Sequence, residues 1–171
     1  MAYTTIIPTL DNNHVKPYSI FNEKYMGYFC MDPSSNLDGE WDYCEWHAYQ
    51  REIYECKFNI DLSSEYAITR VYYQNSHLRG TGINNGAREV LIYGTNERSA
   101  FLNLDYSDTE NINLLCDTEF SMHNTNNASD PKYTEDFSNV IPYRYYILRI
   151  ARNWYGNSFI GLRRLGLQIS T

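Results

Sequence analysis

Apolar residues at helical spacing are hard to find anywhere in this chain, and this restricts its fold more than any other feature. What recurs is short runs of β-branched and aromatic residues separated by Asn, Asp, Gly and Ser, a pattern typical of all-β proteins. Only residues 21–29 favour a helical turn or two. The clearest strand-like runs are residues 57–62, 67–74, 89–94, 143–150 and 162–169.

The size and composition of the chain indicate one folded unit. Its 171 residues match the usual size of a single domain. Hydrophobic residues make up 43% of the chain and include 17 tyrosines, enough for a core that needs no disulfide or metal to be stable. The longest apolar stretches are only a few residues, far short of the roughly 20 that span a bilayer. We therefore expect a single domain over residues 1–171 and no transmembrane helix.

The last strand-like run shows the cleanest alternation of polarity. Leu165, Leu167 and Ile169 occupy one parity, while Leu162 and Gln168 belong to the other. Because successive side chains of a strand point to opposite faces, the odd positions from Leu165 onward are expected to point inward. The series that begins at Leu162 should point the other way.

The charge of the chain excludes one class of partner. It carries 14 Lys and Arg against 21 Asp and Glu, giving a net charge of −7 and a pI of about 5.0. This balance lacks the cationic field that phosphate binding needs, so nucleic acid is not an expected partner. Residues 1–8 have neither a basic nor an apolar segment of the secretory type, and we expect no export by that route.

The four cysteines are expected to be reduced thiols, because a chain without a secretory signal is made in a reducing compartment. Their simplest interpretation is as small buried hydrophobic residues. The alternative is a zinc site built from Cys44, His47 and Cys56. It lacks the paired second half that zinc sites of this kind have.

Three polar stretches interrupt the strand-like runs and are predicted to be loops: residues 76–86, 105–113 and 121–136. The third is longer than ordinary connections, and loops of that length are usually functional or mobile. His14 and His123 have no neighbours that suggest chemistry, and we expect both to be solvated.

Four passages, covering the C-terminal two thirds, resemble the discoidin-like or galactose-binding-like β-sandwich. This group includes coagulation-factor C-type domains and many carbohydrate-binding modules. The resemblance implies an antiparallel, jelly-roll-like β-sandwich. The strongest match is the Tyr-Arg-Tyr-Tyr-x-Leu strand that begins at Tyr143; Ser63 departs from the family, which commonly has Gly there. The four passages are residues 58–62 with 68–71, residues 90–96, residues 137–150 and residues 160–168.

The beginning of the chain, residues 1–10, resembles the opening of small stand-alone members among tailed-phage structural genes. This resemblance implies a virion protein that assembles in the host cytoplasm and leaves by lysis.

An antiparallel sandwich of this kind offers the loops at one end as a variable binding surface. Sugars are recognised by aromatic faces together with planar hydrogen-bond donors and acceptors. Trp41 and His47 belong to the same loop contexts, which we expect to meet at one end. The alternative for each aromatic residue is packing inside the protein. The candidate ligand-binding residues are Trp46, His77, Arg79, Trp154, Tyr155 and Asn157.

Many members of the family hold a calcium ion with carboxylates and main-chain oxygens, as suits a hard cation. The only matching oxygen-rich loop here supplies Asp32, Asn36 and Asp38. Where the family tends to place a Glu in the final strand, this chain has Gly166. Two interpretations of this loop remain: a calcium site and an ordinary turn.

No motif for catalysis is present: Ser76 with His77 and Asp105 with Asp108 are available by composition only. The sequence therefore predicts a non-catalytic module that binds carbohydrate and is displayed on a virion, as a tail or capsid decoration in many copies. The alternative is an architectural subunit of a phage particle, packed on neighbouring chains and without a glycan ligand.

Overall fold

The described residues form ten β-strands. The computed structural model describes residues 2–37, 45–49, 56–104, 111–156 and 159–171. Five long strands fall on the five runs that the sequence predicted. The strands are β1 (Tyr3–Ile6), β2 (Val15–Pro17), β3 (Trp46–Tyr49), β4 (Cys56–Tyr66), β5 (Arg70–Asn75), β6 (Ala87–Thr95), β7 (Asn113–Glu119), β8 (Lys132–Tyr133), β9 (Tyr143–Asn153) and β10 (Phe159–Ser170).

Helical structure in the described residues is limited to short turns. Two 3-10 helices, Glu23–Tyr25 and Gly27–Met31, confirm the helical turns predicted over residues 21–29. Two more, Leu78–Gly80 and Ile83–Asn85, lie in the loop between β5 and β6. The single α-helix, α1 (Arg98–Leu102), follows β6 and was not predicted.

The strands pair into two antiparallel sheets. In the first, the order is β1-β10-β5-β8, and β3 pairs with β10 as well. In the second, the order is β2-β4-β9-β6-β7. This arrangement confirms the predicted antiparallel β-sandwich.

The core lies between the two sheets and is aromatic as well as aliphatic. The rings of Trp46 from the first sheet and Phe58 from the second have centroids 5.0 Å apart. A buried tyrosine needs a partner for its hydroxyl, and Tyr146 accepts a hydrogen bond from the backbone N–H of Ile68 at 3.1 Å. The strands that the sequence identified best are therefore those that build this core.

A β-bulge in β10 corrects the predicted alternation. Leu162 pairs with Asn75 and Arg164 pairs with Gln74, so Arg163 is one extra residue in β10. The extra residue reverses the parity of the strand. As a result Leu162 lies in the core on the same side as Leu165, and only the prediction for the positions after the bulge was right.

Antiparallel pairing gives the sandwich two distinct ends. We call the end with residues 76–86, 120–130 and 153–156 the loop end, because it carries the connections β5–β6 and β9–β10 and the segment after β7. The other end carries the connections β4–β5, β6–β7 and β8–β9, and we call it the opposite end.

Candidate functional site

Hydrogen bonds and ring contacts bring the predicted loops together at the loop end. The backbone N–H of Trp154 donates to the carbonyl of Gly86 at 3.3 Å. The rings of His77 and His123 stack with centroids 3.8 Å apart, which joins residues 76–86 to residues 121–130. The His77 side chain also contacts the carbonyl of Leu37, so the segment before β3 belongs to the same end.

Two of the candidate ligand-binding residues lie on the outside of this end. Arg79 is exposed and has a left-handed backbone, with φ 46°. Tyr155 is 66% exposed and precedes Gly156, whose φ of 72° turns the chain back toward β10. Both side chains can therefore meet a ligand from solvent.

Trp154 is only half buried, but its ring already has partners. The indole N–H donates to the carbonyl of Phe120 at 3.0 Å. The guanidinium of Arg88 lies 4.7 Å from the ring centroid and also contacts Glu119 at 3.2 Å. One face of the indole is thus covered by a cation–π contact, which reduces the area left for a sugar.

Two candidates must be corrected, because they lie inside the protein. Trp46 is fully buried and donates its indole N–H to the carbonyl of Ser19 at 3.0 Å. His77 is fully buried in its stack with His123. Neither side chain presents a surface to a ligand. Asn157 and Trp41 lie outside the described residues.

His123 is also buried, so the expectation that it is solvated was wrong. Burial lowers the pKa of His77 to about 4, and the neighbouring His123 and Arg163 act in the same direction. Burial likewise lowers the pKa of His123. Both rings approach a backbone carbonyl through Nε2, at Leu37 and Asn127. Because a carbonyl only accepts, each Nε2 carries the proton and each ring is neutral.

Beneath these loops lies an ion pair that the sequence did not reveal. Glu45 and Arg163 are both fully buried, with Oε2 and Nε 3.6 Å apart. Burial raises the pKa of Glu45 to about 7 despite the attraction of Arg163. The sequence feature that could have indicated this ion pair is Arg163, a charged residue that shares its strand parity with the side chains expected to point inward.

The loop that was considered for calcium is held instead by arginine. The guanidinium of Arg164 donates to the carbonyls of Pro33 at 3.0 Å and Ser35 at 2.7 Å. The carboxylate of Asp32 accepts from the backbone and hydroxyl of Ser34, as in an ordinary turn.

Arg163 lies 3.5 Å from the carbonyl of Asn36 in the same loop. These main-chain oxygens therefore face fixed positive charges, so the described residues do not fit a calcium ion. Asp38 lies outside the described residues, and the described part of the chain contains no group of three metal-ligating side chains.

The described cysteines, Cys30, Cys56 and Cys116, are free thiols. Burial raises the pKa of each, in the case of Cys56 to about 12, so none is an activated thiolate. Cys44, which the zinc alternative requires, lies outside the described residues. His47 packs among aromatic rings, stacked on Phe159 with centroids 5.6 Å apart.

No helix in the described structure has the length and apolar character to cross a membrane.

Comparison with solved structures matches nearly the whole chain to sugar-binding domains. A family 32 carbohydrate-binding module from C. perfringens NanJ, solved with galactose, has a TM-score of 0.66 at 10% identity and covers 98% of this chain and 100% of its own. The lectin domain of Lectinolysin, solved with Lewis B antigen, has a TM-score of 0.64 at 14% identity, with 98% of each chain covered.

A third match is chitosan-binding module 1 from a Paenibacillus sp. IK-5 chitosanase/glucanase, with a TM-score of 0.63 and 11% identity, covering 98% of this chain and 100% of its own. No protein-family model and no curated protein matches the chain. At such low identity these matches establish the fold alone: the chain is an antiparallel β-sandwich like the matched domains.

Proposed function

We propose that this protein is a non-catalytic carbohydrate-binding domain that recognises glycan through its loop end. The observation that carries this proposal is the match of 98% of the chain to a galactose-bound module and to a lectin domain.

The exposed groups at the loop end suit a sugar ligand. The ring of Tyr155 offers a face for the C–H side of a sugar, and the guanidinium of Arg79 offers planar donors for hydroxyl groups. Each such hydrogen bond contributes about 0.5–1.5 kcal/mol net, so we expect a single-site Kd on the order of 0.1–1 mM. Useful attachment then requires many copies, since avidity raises affinity by roughly 10²–10⁴.

Display on a virion would supply such copies, and we include it in the proposal. Support comes from the opposite end, where Val140 is 84% exposed and the adjacent Ile141 is 55% exposed. Neighbouring exposed apolar side chains favour contact with another protein. A subunit attached through Val140 and Ile141 leaves its loop end free. If Val140 and Ile141 bound a neighbouring chain and the loop end bound no glycan, the protein would be an architectural subunit of a phage particle.

The test is a glycan-array screen of the purified protein, with its mass in solution measured alongside. Tyr155→Ala and Arg79→Ala should lose glycan binding at an unchanged Tm, because both residues are exposed. Trp154→Ala should lower the Tm as well, since its indole is part of the packing. Tyr133→Ala is the matched control, an exposed tyrosine on the first sheet.

The control should retain full glycan binding. If the wild type binds no glycan on a multivalent array, the proposal fails and the architectural alternative is favoured. Equal losses in Tyr155→Ala and Tyr133→Ala would also overturn the site at the loop end.

A further inference from the structure

A cavity of about 440 Å³ lies at the opposite end, away from the loop end. It is bounded by the chain around β2, by β4, by α1 and by the start of β9. The side-chain amide of Asn59 in β4 fixes α1 in place by donating to the carbonyl of Phe101 at 2.7 Å. The volume falls within the roughly 300–1,000 Å³ of small-molecule pockets. Its principal lining residues are Lys16, Asp61, Arg98, Phe101, Arg144 and Tyr145.

The lining is positively charged in a protein whose net charge is −7. Asp61 and Arg144 neutralise each other, because Nε and Nη2 of the guanidinium donate to the two carboxylate oxygens at 2.8 and 2.9 Å. Lys16 and Arg98 then add two positive charges. His14, which also lines the cavity, contacts the carboxylate of Asp11 at 2.8 Å.

The Asp61–Arg144 pair is built to stay charged. Although burial of Asp61 opposes it, the hydrogen bonds from Arg144 and from the backbone of Ser63 hold the pKa of Asp61 below its ordinary value. A guanidinium has five N–H donors, and this pair uses the one on Nε and one of the two on Nη2. The pair therefore orients the guanidinium, and Nη1 faces away from Asp61, where it can donate to a further acceptor.

The floor of the cavity is aromatic. Phe101 and Tyr145 are stacked, with ring centroids 5.0 Å apart and planes inclined by 22°. Both side chains are buried by the surrounding protein, and Leu102 at the rim is exposed. The guanidinium of Arg144 lies 5.1 Å from the Tyr145 ring centroid, so charge and ring are adjacent.

We infer that this cavity is a second ligand site, for a saccharide that carries a carboxylate or sulfate group. Lys16, Arg98 and Arg144 would bind the oxyanion, and the exposed side chain of Leu102 at the rim would receive the apolar side of the sugar ring, with the Phe101–Tyr145 stack supporting the cavity from below. The saccharide part of this inference rests on the proposed function, whereas the oxyanion part rests on the charges of the cavity alone.

The experiment is a titration followed by NMR, with four probes. Methyl glucuronide and a glucose sulfate carry the oxyanion, methyl glucoside is the matched neutral sugar, and inorganic sulfate is the bare anion. The glucuronide, the glucose sulfate or both should bind, more weakly at high salt because solvent-exposed charges are screened. Binding of methyl glucoside should be at least tenfold weaker, because a hydrogen bond to a charged group is worth about 1.5–3 kcal/mol.

Arg98→Gln and Lys16→Gln should each weaken the acidic sugar about tenfold at unchanged Tm, since neither side chain is fully buried. Arg152→Gln, an exposed arginine outside both proposed sites, is the control and should have no effect. Equal binding of glucoside and the acidic sugars overturns the inference, as does equal binding of inorganic sulfate. A loss in Arg152→Gln equal to that in Arg98→Gln also overturns it.

The two proposals fail separately in this design. If neither acidic sugar binds the cavity while glycans still bind through Tyr155, the second site is disproved and the proposed function stands. If acidic sugars bind the cavity while Tyr155→Ala leaves array binding intact, the loop-end site is disproved and the second site stands.

Discussion

The two ends of the sandwich use the same residue types at different depths. At the loop end, the ion pair Glu45–Arg163 and the stacked pair His77–His123 lie inside the protein. At the opposite end, the ion pair Asp61–Arg144 borders a cavity, and the Arg144 side chain is 43% exposed.

This contrast separates polar groups that hold the fold from polar groups that can meet a ligand. An ion pair withdrawn from water has lost its hydration, so removing one partner leaves a buried charge without compensation. An ion pair at the edge of a cavity stays partly hydrated, so its partners can bind a third charged group with only a small desolvation penalty. We therefore assign structure to the first set and binding to the second.

The largest expected effect tests this assignment directly. Arg163→Met should lower the free energy of unfolding by about 3–5 kcal/mol, because Glu45 would remain buried without its guanidinium partner. Removing one partner of the pair at the opposite end, in Asp61→Asn, should cost only about 1–2 kcal/mol, since Arg144 can turn to solvent. Urea denaturation of the two variants and the wild type measures both.

The double variant Glu45→Gln with Arg163→Met is the control for the buried pair. It removes the unpaired carboxyl, so it should be more stable than Arg163→Met alone. Equal losses at the two ion pairs would remove the distinction between the ends.

Most of the sandwich could be predicted from sequence, because its long strands are runs of β-branched and aromatic residues. β4, β5, β6, β9 and β10 were all found in this way. The strands β1, β2, β3, β7 and β8 were missed. Four of them have only two to four residues and take their conformation from a neighbour. β7 is longer, but it lies at the edge of its sheet and is largely exposed.

The site was harder to predict, because the type of a residue does not show whether its side chain is buried or exposed. Trp46 and Arg79 are equally suitable for sugars by chemistry, but only Arg79 reaches solvent. The bulge at Arg163 depends on pairing with β5, and no local pattern shows it. The cavity at the opposite end joins Lys16, Arg98 and Arg144 across the fold, and their spacing in the sequence carries no signal.

The second expected effect is a loss of stability in acid caused by buried neutral histidines. Burial lowers the pKa of His77 and of His47 to about 4, below the ordinary value of about 6.5. The unfolded chain therefore binds these protons first, and stability falls as the pH drops from about 6.5 to about 4. His77→Phe keeps a ring against His123 and should make this decline shallower, by about 2 kcal/mol over that window.

The measurement is the Tm between pH 7 and pH 4. Tyr133→Phe is the control, because it changes an exposed ring on the first sheet and keeps every histidine, and it should leave the decline unchanged. Glu45 acts in the other direction: its pKa is raised to about 7, so its contribution is present in acid and is lost as the pH rises through about 7. If the Tm fell equally with pH in His77→Phe and in the wild type, the interpretation that His77 and His123 are buried in the uncharged form would be contradicted.

The smallest expected effect concerns the loop of residues 32–37, where fixed guanidinium groups stand in place of a metal ion. Chelation with EDTA should leave the Tm unchanged, and added calcium should not raise it, because the carbonyls of Pro33 and Ser35 already accept from Arg164. Arg164→Met keeps much of the side chain's length but removes these hydrogen bonds, and should cost about 1–3 kcal/mol. Calorimetry with and without EDTA checks both statements. The opposite result would be an EDTA treatment that lowers the Tm of the wild type but not that of Arg164→Met. It would show that the loop of the wild type binds a metal ion.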